Sequence, residues 1–182
     1  MDSPRLPIRR NTVKTKARIV RAAQAAFSEI GYPRAGIRHI AEDAGVAPSL
    51  LLQHFGSKAN LFEAALLASM TEQELVEGDR ATFGERLANK LATNADVALP
   101  TMIVLSIGDA DACAVSDKIL RDYVVGRTAE WLGPPNARSR AMSINMICTG
   151  FIVYARKIPT EPVSQHTIDW LARSVQAIVD EC

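Results

Sequence analysis

The segment from Ile37 to Phe55, IRHIAEDAGVAPSLLLQHF, constrains the fold more than any other part of the chain. Apolar residues recur at helical spacing on both sides of Gly45, a residue type that adopts backbone conformations other residues resist. Pro48 suits the first turn of a helix, where its missing N–H costs nothing. The segment therefore predicts two short helices, over about 37–44 and 48–54, that meet at a tight corner.

The remainder of the chain also reads as helices, because apolar residues keep helical spacing and breakers punctuate them. A first helix is expected to begin near Asn11 or Thr12 and to end at Gly31, with Pro33 preventing its resumption. Thr82 and Glu85 form a capping-box pattern. The further helices are expected over about 58–76, 82–94, 97–107, 111–132, 137–157 and 164–179. No stretch alternates with period two long enough for a strand, so the predicted fold class is all-α.

The charge distribution divides the chain. Residues 1–60 carry ten Lys/Arg against four Asp/Glu, and residues 61–182 carry eleven against sixteen. A basic front on an acidic body suggests a polyanion partner for the front, although a solvated basic tail explains the charge equally well. We expect a flexible basic arm over 1–11, a helix-turn-helix domain over 12–60 and a helical body over 61–182, with the helical pattern breaking at 77–82.

Other classes of site find no support in the sequence. Cys113, Cys148 and Cys182 have no disulfide or metal spacing, and the three histidines lack ligand partners, so no metal and no cofactor is expected. No nucleophile motif is present, and we expect no catalytic residues. The longest uncharged run, 141–155, falls short of the ~20 residues that a membrane span needs. The basic N-terminus lacks an apolar run, so we expect a cytoplasmic protein with reduced thiols and no signal peptide.

The run from Phe27 to Leu61 resembles the DNA-binding head of TetR-family regulators, and the resemblance covers about residues 12–65. The matching positions are Gly31, Tyr32, Ile37, Arg38, Ile40, Ala41, Ala44, Gly45, Val46, His54, Phe55, Ser57, Lys58 and Leu61. The resemblance implies an N-terminal three-helix head with a helix-turn-helix, followed by a helical ligand-binding and dimerisation body. It also implies the partners: double-stranded DNA, a second copy of the chain and a small-molecule effector.

The resemblance assigns roles to seven residues. Arg38 resembles a position that often meets the phosphate backbone, and Lys58 resembles the family's phosphate-binding lysine. Pro48 begins the recognition helix, Ser49, Leu50 and Gln53 resemble its outward face, and His54 matches a residue near the DNA backbone. The chain departs from the family where Ala35, Gly36 and Ala47 replace frequent hydroxyl residues, where Leu52 replaces a common tyrosine and where Asn60 replaces an acidic capping partner. These departures weaken capping and some phosphate contacts.

The body holds candidates for an effector pocket. Flexible methionines and large aromatic residues suit an apolar site, although ordinary core packing is the simpler explanation for any one of them. The candidates are Met102, Leu105, Trp131, Met142, Met146, Phe151 and Tyr154. We expect the site between the helices over 97–107, 111–132 and 137–157. The small residues Ala141, Ser143, Thr149 and Gly150 favour close dimer packing of the last two helices.

Two other functions stay open at this stage. An adaptor that kept the fold but lost operator recognition would explain the missing hydroxyls and Leu52. A small helical enzyme could use a cavity in the body, although no acid, base or nucleophile converges there.

Overall fold

A computed structural model describes residues 7–71, 79–93, 98–156, 158 and 161–181, and every regular element within these ranges is helical. The all-α prediction is therefore confirmed. The helices in chain order are α1 (Pro7–Arg34), α2 (Ile37–Asp43), α3 (Pro48–Phe55), α4 (Lys58–Thr71), α5 (Phe83–Thr93), α6 (Ala98–Val104), α7 (Ala110–Ile119), α8 (Gly126–Leu132), α9 (Ala137–Arg156) and α10 (Gln165–Asp180).

Helix α1 differs from its prediction at both ends. It begins at Pro7 rather than at Asn11 or Thr12, so the expected flexible arm is wrong for residues 7–11, and residues 1–6 lie outside the described part. Gly31 interrupts the helix with φ 77° and ψ 163°, a conformation that glycine adopts without strain. The helix nevertheless resumes for one turn to Arg34, because Pro33 falls in a first turn that needs no N–H from it.

The segment that leads from the head into α5 is capped by a different residue from the one predicted. Helix α4 reaches Thr71, and the rest of the predicted 58–76 helix, with most of the predicted break at 77–82, lies outside the described residues. A 3₁₀ turn over Arg80–Thr82 then leads into α5. Asp79 caps this turn by accepting the Ala81 N–H at 3.0 Å, whereas the hydroxyl of Thr82 donates to the Asp79 carbonyl. The cap is thus Asp79 instead of the predicted capping box.

The predicted helix over 111–132 is one continuous rod with a change of winding. Asp109 caps α7 by accepting the Ala112 N–H at 3.0 Å, and α7 then passes through a π-helical segment, Leu120–Val125, into α8. Such π segments often mark functional sites. Gly133 ends α8 with φ 66°, as the glycine–proline sequence predicted.

The described helices share two apolar cores. The first joins the head to α6 and α7, and its fully buried members include Phe27, Leu51, Leu61, Leu66, Met102 and Ile119. The second joins α5, α8, α9 and α10 around Phe83, Leu132, Ile152, Leu171 and Val175. Since α6 and α7 share a core with the head, a displacement of either helix would disturb the packing of the head.

Candidate DNA-binding surface and effector cleft

The corner between α2 and α3 has the geometry of a helix-turn-helix. Ile40 of α2 and Leu51 of α3 are fully buried, and they fix the two helices against the rest of the head. Gly45 turns the chain with φ 63°. Ala47 stands at the N-cap of α3 in extended conformation without a side-chain cap, which agrees with the expected loss of a capping hydroxyl.

Helix α3 exposes three of its predicted contact residues to solvent. Ser49 and Gln53 are exposed and four positions apart, so they share one face of the helix. Pro48 is also exposed, while Leu50 and His54 form a half-buried flank. The exposed face can therefore reach base edges, and the flank is restricted to the margin of the contact.

Lys58 begins α4 beside the recognition helix. Its Nζ lies 4.3 Å from the centroid of the Tyr32 ring. Partial burial lowers the pKa of Lys58 from its ordinary 10.5, and the negative charge of Asp109 partly opposes that shift. Ser57 caps α4 by accepting the N–H of Asn60 at 3.1 Å. A cation at the N-terminus of a helix, where N–H groups also point outward, suits a phosphate oxygen.

Asn60 has a role that the sequence alone did not show. Its side-chain amide donates a 2.9 Å hydrogen bond to the carbonyl of Phe55, the last residue of α3. The residue that replaces the family's acidic capping partner thus ties the end of α3 to the start of α4. An asparagine shortly after a helix end was the signal that could have predicted this contact.

Arg38 is exposed on α2, as its predicted backbone contact requires. The neighbouring His39 lies 3.6 Å from Asp43, a partner on its own helix. Further exposed cations of the described head are Lys14, Lys16, Arg18, Arg21 and Arg34. The described head therefore carries exposed positive charge on α1 as well as on α2.

The head rests on the turn between α6 and α7. The Tyr32 N–H donates a 3.0 Å hydrogen bond to the hydroxyl of Ser106, and the bond is buried. Any side chain at Gly31 would collide with the carbonyl of Leu105. This close approach explains why a glycine stands at the interruption of α1, apart from its positive φ.

The structure does not assemble the predicted effector residues into one pocket. Met102 is fully buried against the head, and Leu105 packs its main chain on Gly31. Trp131 lies on Phe83, with ring centroids 4.6 Å apart. None of these three residues lines either cleft beside α9, so their part in a pocket stays a prediction.

The other four candidates lie on α9. Met142 is exposed and lines neither of the two clefts beside this helix, whereas Met146, Phe151 and Tyr154 line a 530 Å³ cleft between α9 and the start of α10. Ala141, predicted as a point of close dimer contact, is 1% exposed and belongs to the subunit's own core. It cannot reach a second copy.

A cleft of about 260 Å³ does occupy the predicted place between α6, the π-helical segment and α9. Its lining is Leu99, Pro100, Ile103, Val104, Ile107, Leu120, Asn145, Met146 and Thr149. None of these residues is charged, and Met146 alone was among the predicted set. The spacing of Pro100, Ile103 and Val104 along α6, continued by Ile107 in the turn after it, was the missed signal, since it is typical of one apolar face of a helix.

Among the described residues no three His, Cys, Asp or Glu side chains are grouped to hold a metal ion. No described helix is both long and apolar enough to cross a membrane.

Family models match both halves of the chain. Residues 19–65 match the model for bacterial regulatory proteins of the tetR family, and residues 81–182 match that for the tetracyclin repressor-like C-terminal domain. The chain matches no curated protein at a significant level.

Solved structures share the fold along nearly the whole chain. A TetR-family regulator from Streptomyces coelicolor has 26% identity and a TM-score of 0.58, over 98% of this chain and 100% of that one. FadR, a fatty acid degradation regulator from Bacillus halodurans, has 18% identity and a TM-score of 0.65, over 91% and 98%. NalD, the secondary repressor of the MexAB-OprM multidrug efflux pump in Pseudomonas aeruginosa, has 17% identity and a TM-score of 0.63, over 92% and 95%.

Proposed function

The chain belongs to the TetR family of bacterial regulatory proteins, and from this premise we propose that it is a cytoplasmic repressor that binds a pseudo-palindromic operator as a homodimer and leaves it when a small neutral ligand binds the body. The observation that carries the proposal is the position of α6. This helix lines the 260 Å³ cleft, and its residues Leu99, Met102 and Ile103 also pack in the core that it shares with the head.

Operator recognition is assigned to α3 and the start of α4. Ser49 and Gln53 are the residues that can reach base edges in the major groove, since both are exposed on one face of a helix that protrudes from a packed corner. Arg38 and Lys58 are assigned to phosphates on either side. Phosphate contacts set affinity and register, while base contacts set the sequence.

A second copy is expected to cover the outer face of α9. Met142, Met146, Gly150 and Tyr154 follow one another at intervals of four residues, and all are exposed. The three large side chains among them are 51–68% exposed, and Trp170 of α10 is 49% exposed. A stripe of this kind on two neighbouring helices supports a four-helix arrangement of two subunits, which would remove it from water.

The lining of the cleft between α6 and α9 defines the class of ligand. Its apolar walls carry one amide, from Asn145, and one hydroxyl, from Thr149. A charged ligand would lose its hydration without a partner charge, and this is costly. The proposed effector is therefore a small, neutral, largely apolar molecule with a hydrogen-bonding group.

Helix α6 connects the cleft to the head. Ile103 and Val104 line the cleft, while Met102 is buried in the core of the head and Ser106 holds Tyr32. A ligand that binds better when α6 is displaced would shift the population toward that state. A coupling of about 1–3 kcal/mol suffices to weaken operator binding several-fold.

Selection of DNA fragments by the purified full-length protein tests this function. Genomic fragments that the protein retains should share a pseudo-palindrome whose half-sites lie about 34–36 Å apart or at a multiple of that spacing, as two heads on one face of the duplex require. Retention without a common sequence would favour the adaptor with a lost recognition function. Turnover of a small molecule that depends on the body and not on the head would favour the enzyme.

A further inference from the structure

Lys58, the assigned phosphate contact, lies against Tyr32, and Tyr32 in turn is hydrogen-bonded to the body of the protein. The ammonium group of Lys58 lies over the face of the Tyr32 ring, 4.3 Å from its centroid. A cation at this distance is attracted by the negative face of the ring, and the attraction strengthens where water is partly excluded. Lys58 is half-buried, so its side chain is held rather than left free in solvent.

Tyr32 itself is held from three sides. Its ring stacks on Phe27 at 5.8 Å between centroids and meets Phe62 edge-on at 5.2 Å. Its main-chain N–H donates to Ser106 of the body at 3.0 Å. Tyr32 is 5% exposed and Ser106 is 1% exposed, so neither can move without disturbing packed neighbours.

The turn that holds Tyr32 also lies near Lys58. The Ser106 carbonyl accepts the N–H of Asp109 at 3.1 Å, which fixes the start of α7. Burial lowers the pKa of Lys58, and the charge of Asp109 partly opposes that shift; burial raises the pKa of Tyr32, and the charge of Asp109 adds to it. The turn after α6 is thus in electrostatic contact with the assigned phosphate-binding lysine.

We propose that Tyr32 is a positioning residue for the operator: its ring holds the ammonium group of Lys58 where it meets a phosphate, and Ser106 of the body fixes Tyr32 in that place. This inference rests on the proposed function, because it takes Lys58 to be a phosphate contact. Through Ser106 and Tyr32, the body would then control the position of Lys58 directly, in addition to any change in the spacing of the two heads.

Substitutions at Tyr32 test the positioning role through the salt dependence of operator binding, which counts phosphate contacts. Lys58→Met and Tyr32→Leu should each lower the salt slope by about one unit per subunit. Tyr32→Phe keeps the ring and should keep the slope. Phe83→Leu is the matched control and should keep the slope, because it removes a buried ring of the second core that does not contact Tyr32 or Lys58.

The outcomes distinguish a failure of the positioning role of Tyr32 from a failure of the proposed phosphate contact by Lys58. An unchanged slope in Lys58→Met would show that Lys58 is no phosphate contact, which overturns its assigned role. A lowered slope in Lys58→Met with an unchanged slope in Tyr32→Leu would overturn the positioning role alone. Tighter binding by Tyr32→Leu would also overturn it, since the ring would then compete with the phosphate for Lys58.

Ser106→Ala removes the hydrogen bond by which the body fixes Tyr32, and it tests the proposal even if Tyr32→Leu does not fold. It should weaken operator binding at least about threefold, and this loss should vanish when Lys58 is already Met, because coupled residues are not additive. Ser116→Ala is the matched control, since Ser116 is another buried serine of the body and its hydroxyl has no hydrogen-bond partner among the described residues. Equal losses in the two serine variants, or a loss that persists without Lys58, would contradict the proposal.

Discussion

The guanidinium group of Arg140 donates a 2.7 Å hydrogen bond from Nη2 to the main-chain carbonyl of Val179, near the end of α10. Its other nitrogens donate to the carbonyls of Gly133, Pro135 and Ile178, so one arginine serves the ends of α8 and α10. Carbonyl groups at helix ends lack partners within their own helix. Arg140 satisfies them from inside the protein, where it is 3% exposed.

Arg140→Met should therefore destabilise the protein by about 2–4 kcal/mol, because the part-buried carbonyl groups of Gly133, Pro135 and Ile178 lose this donor, while that of Val179 keeps Arg80 at 3.2 Å. Urea unfolding at a fixed protein concentration measures the effect, since dimerisation would otherwise shift the midpoint. Arg138→Met, at an exposed arginine two residues earlier, serves as control and should stay within about 0.5 kcal/mol of the original protein. Equal stability of both variants would show that the four hydrogen bonds contribute nothing.

Gln53 and Lys58 should differ in what they contribute to operator binding. Gln53→Ala should reduce the preference for one base in each half-site by about 1–3 kcal/mol. Lys58→Ala should weaken all sequences by a similar factor, because a phosphate is present at every step. Selection from a random duplex library measures both. A changed base preference in Lys58→Ala, or an unchanged one in Gln53→Ala, would reverse the assignments.

The stripe on α9 predicts the effect of a charge on assembly. Tyr154→Glu should separate the proposed dimer into monomers of 19.8 kDa, because a carboxylate would have to be buried without a partner. Sedimentation velocity at micromolar concentration measures this. Tyr154 is 68% exposed in one chain, so the fold of the subunit should survive. Val13→Glu, at an exposed residue of α1, should leave the dimer intact; a monomeric unaltered protein would contradict the interface.

Filling the cleft beside α6 should block ligand binding and spare DNA binding. Val104→Phe places a larger side chain in the cleft of about 260 Å³ and so reduces the space for a ligand. We expect binding of the neutral dye Prodan, followed by its own fluorescence, to weaken about tenfold or more, which is about 1.4 kcal/mol. Val13→Phe makes the same substitution away from the cleft and should not change dye binding. Failure of the unaltered protein to bind the dye would count against a neutral, apolar site.

The two described cysteines should differ in reactivity. Burial raises the pKa of Cys148 to about 12, so its reactive thiolate is scarce at pH 8. Cys113 is exposed. Iodoacetamide at pH 8 should therefore label Cys113 in the folded protein and Cys148 only after unfolding, as read by peptide mass. Early labelling of Cys148 would show that α9 opens locally.

Local signals were enough to predict the helix-turn-helix and most helix limits. Gly45, Pro48 and the spacing of Ile40 and Leu51 act within a few residues of themselves, and the structure keeps each of them in its expected place. Gly133 likewise ends α8 by its own backbone conformation. The amino-acid sequence by itself therefore determined the architecture of the head and the division of the body into helices.

Tertiary structure decided which side chains form the cleft and which form the core. Met102 and Trp131 have the same apolar character as pocket residues, yet the packing of α6 on the head and of Phe83 on Trp131 places them in the cores or against them. Arg140 is buried where α10 packs beside it, and two of the four carbonyl groups that it satisfies belong to Ile178 and Val179, which are 38 and 39 residues along the chain. Periodicity shows that a helix has an apolar face, but which neighbour covers that face depends on how the helices pack together.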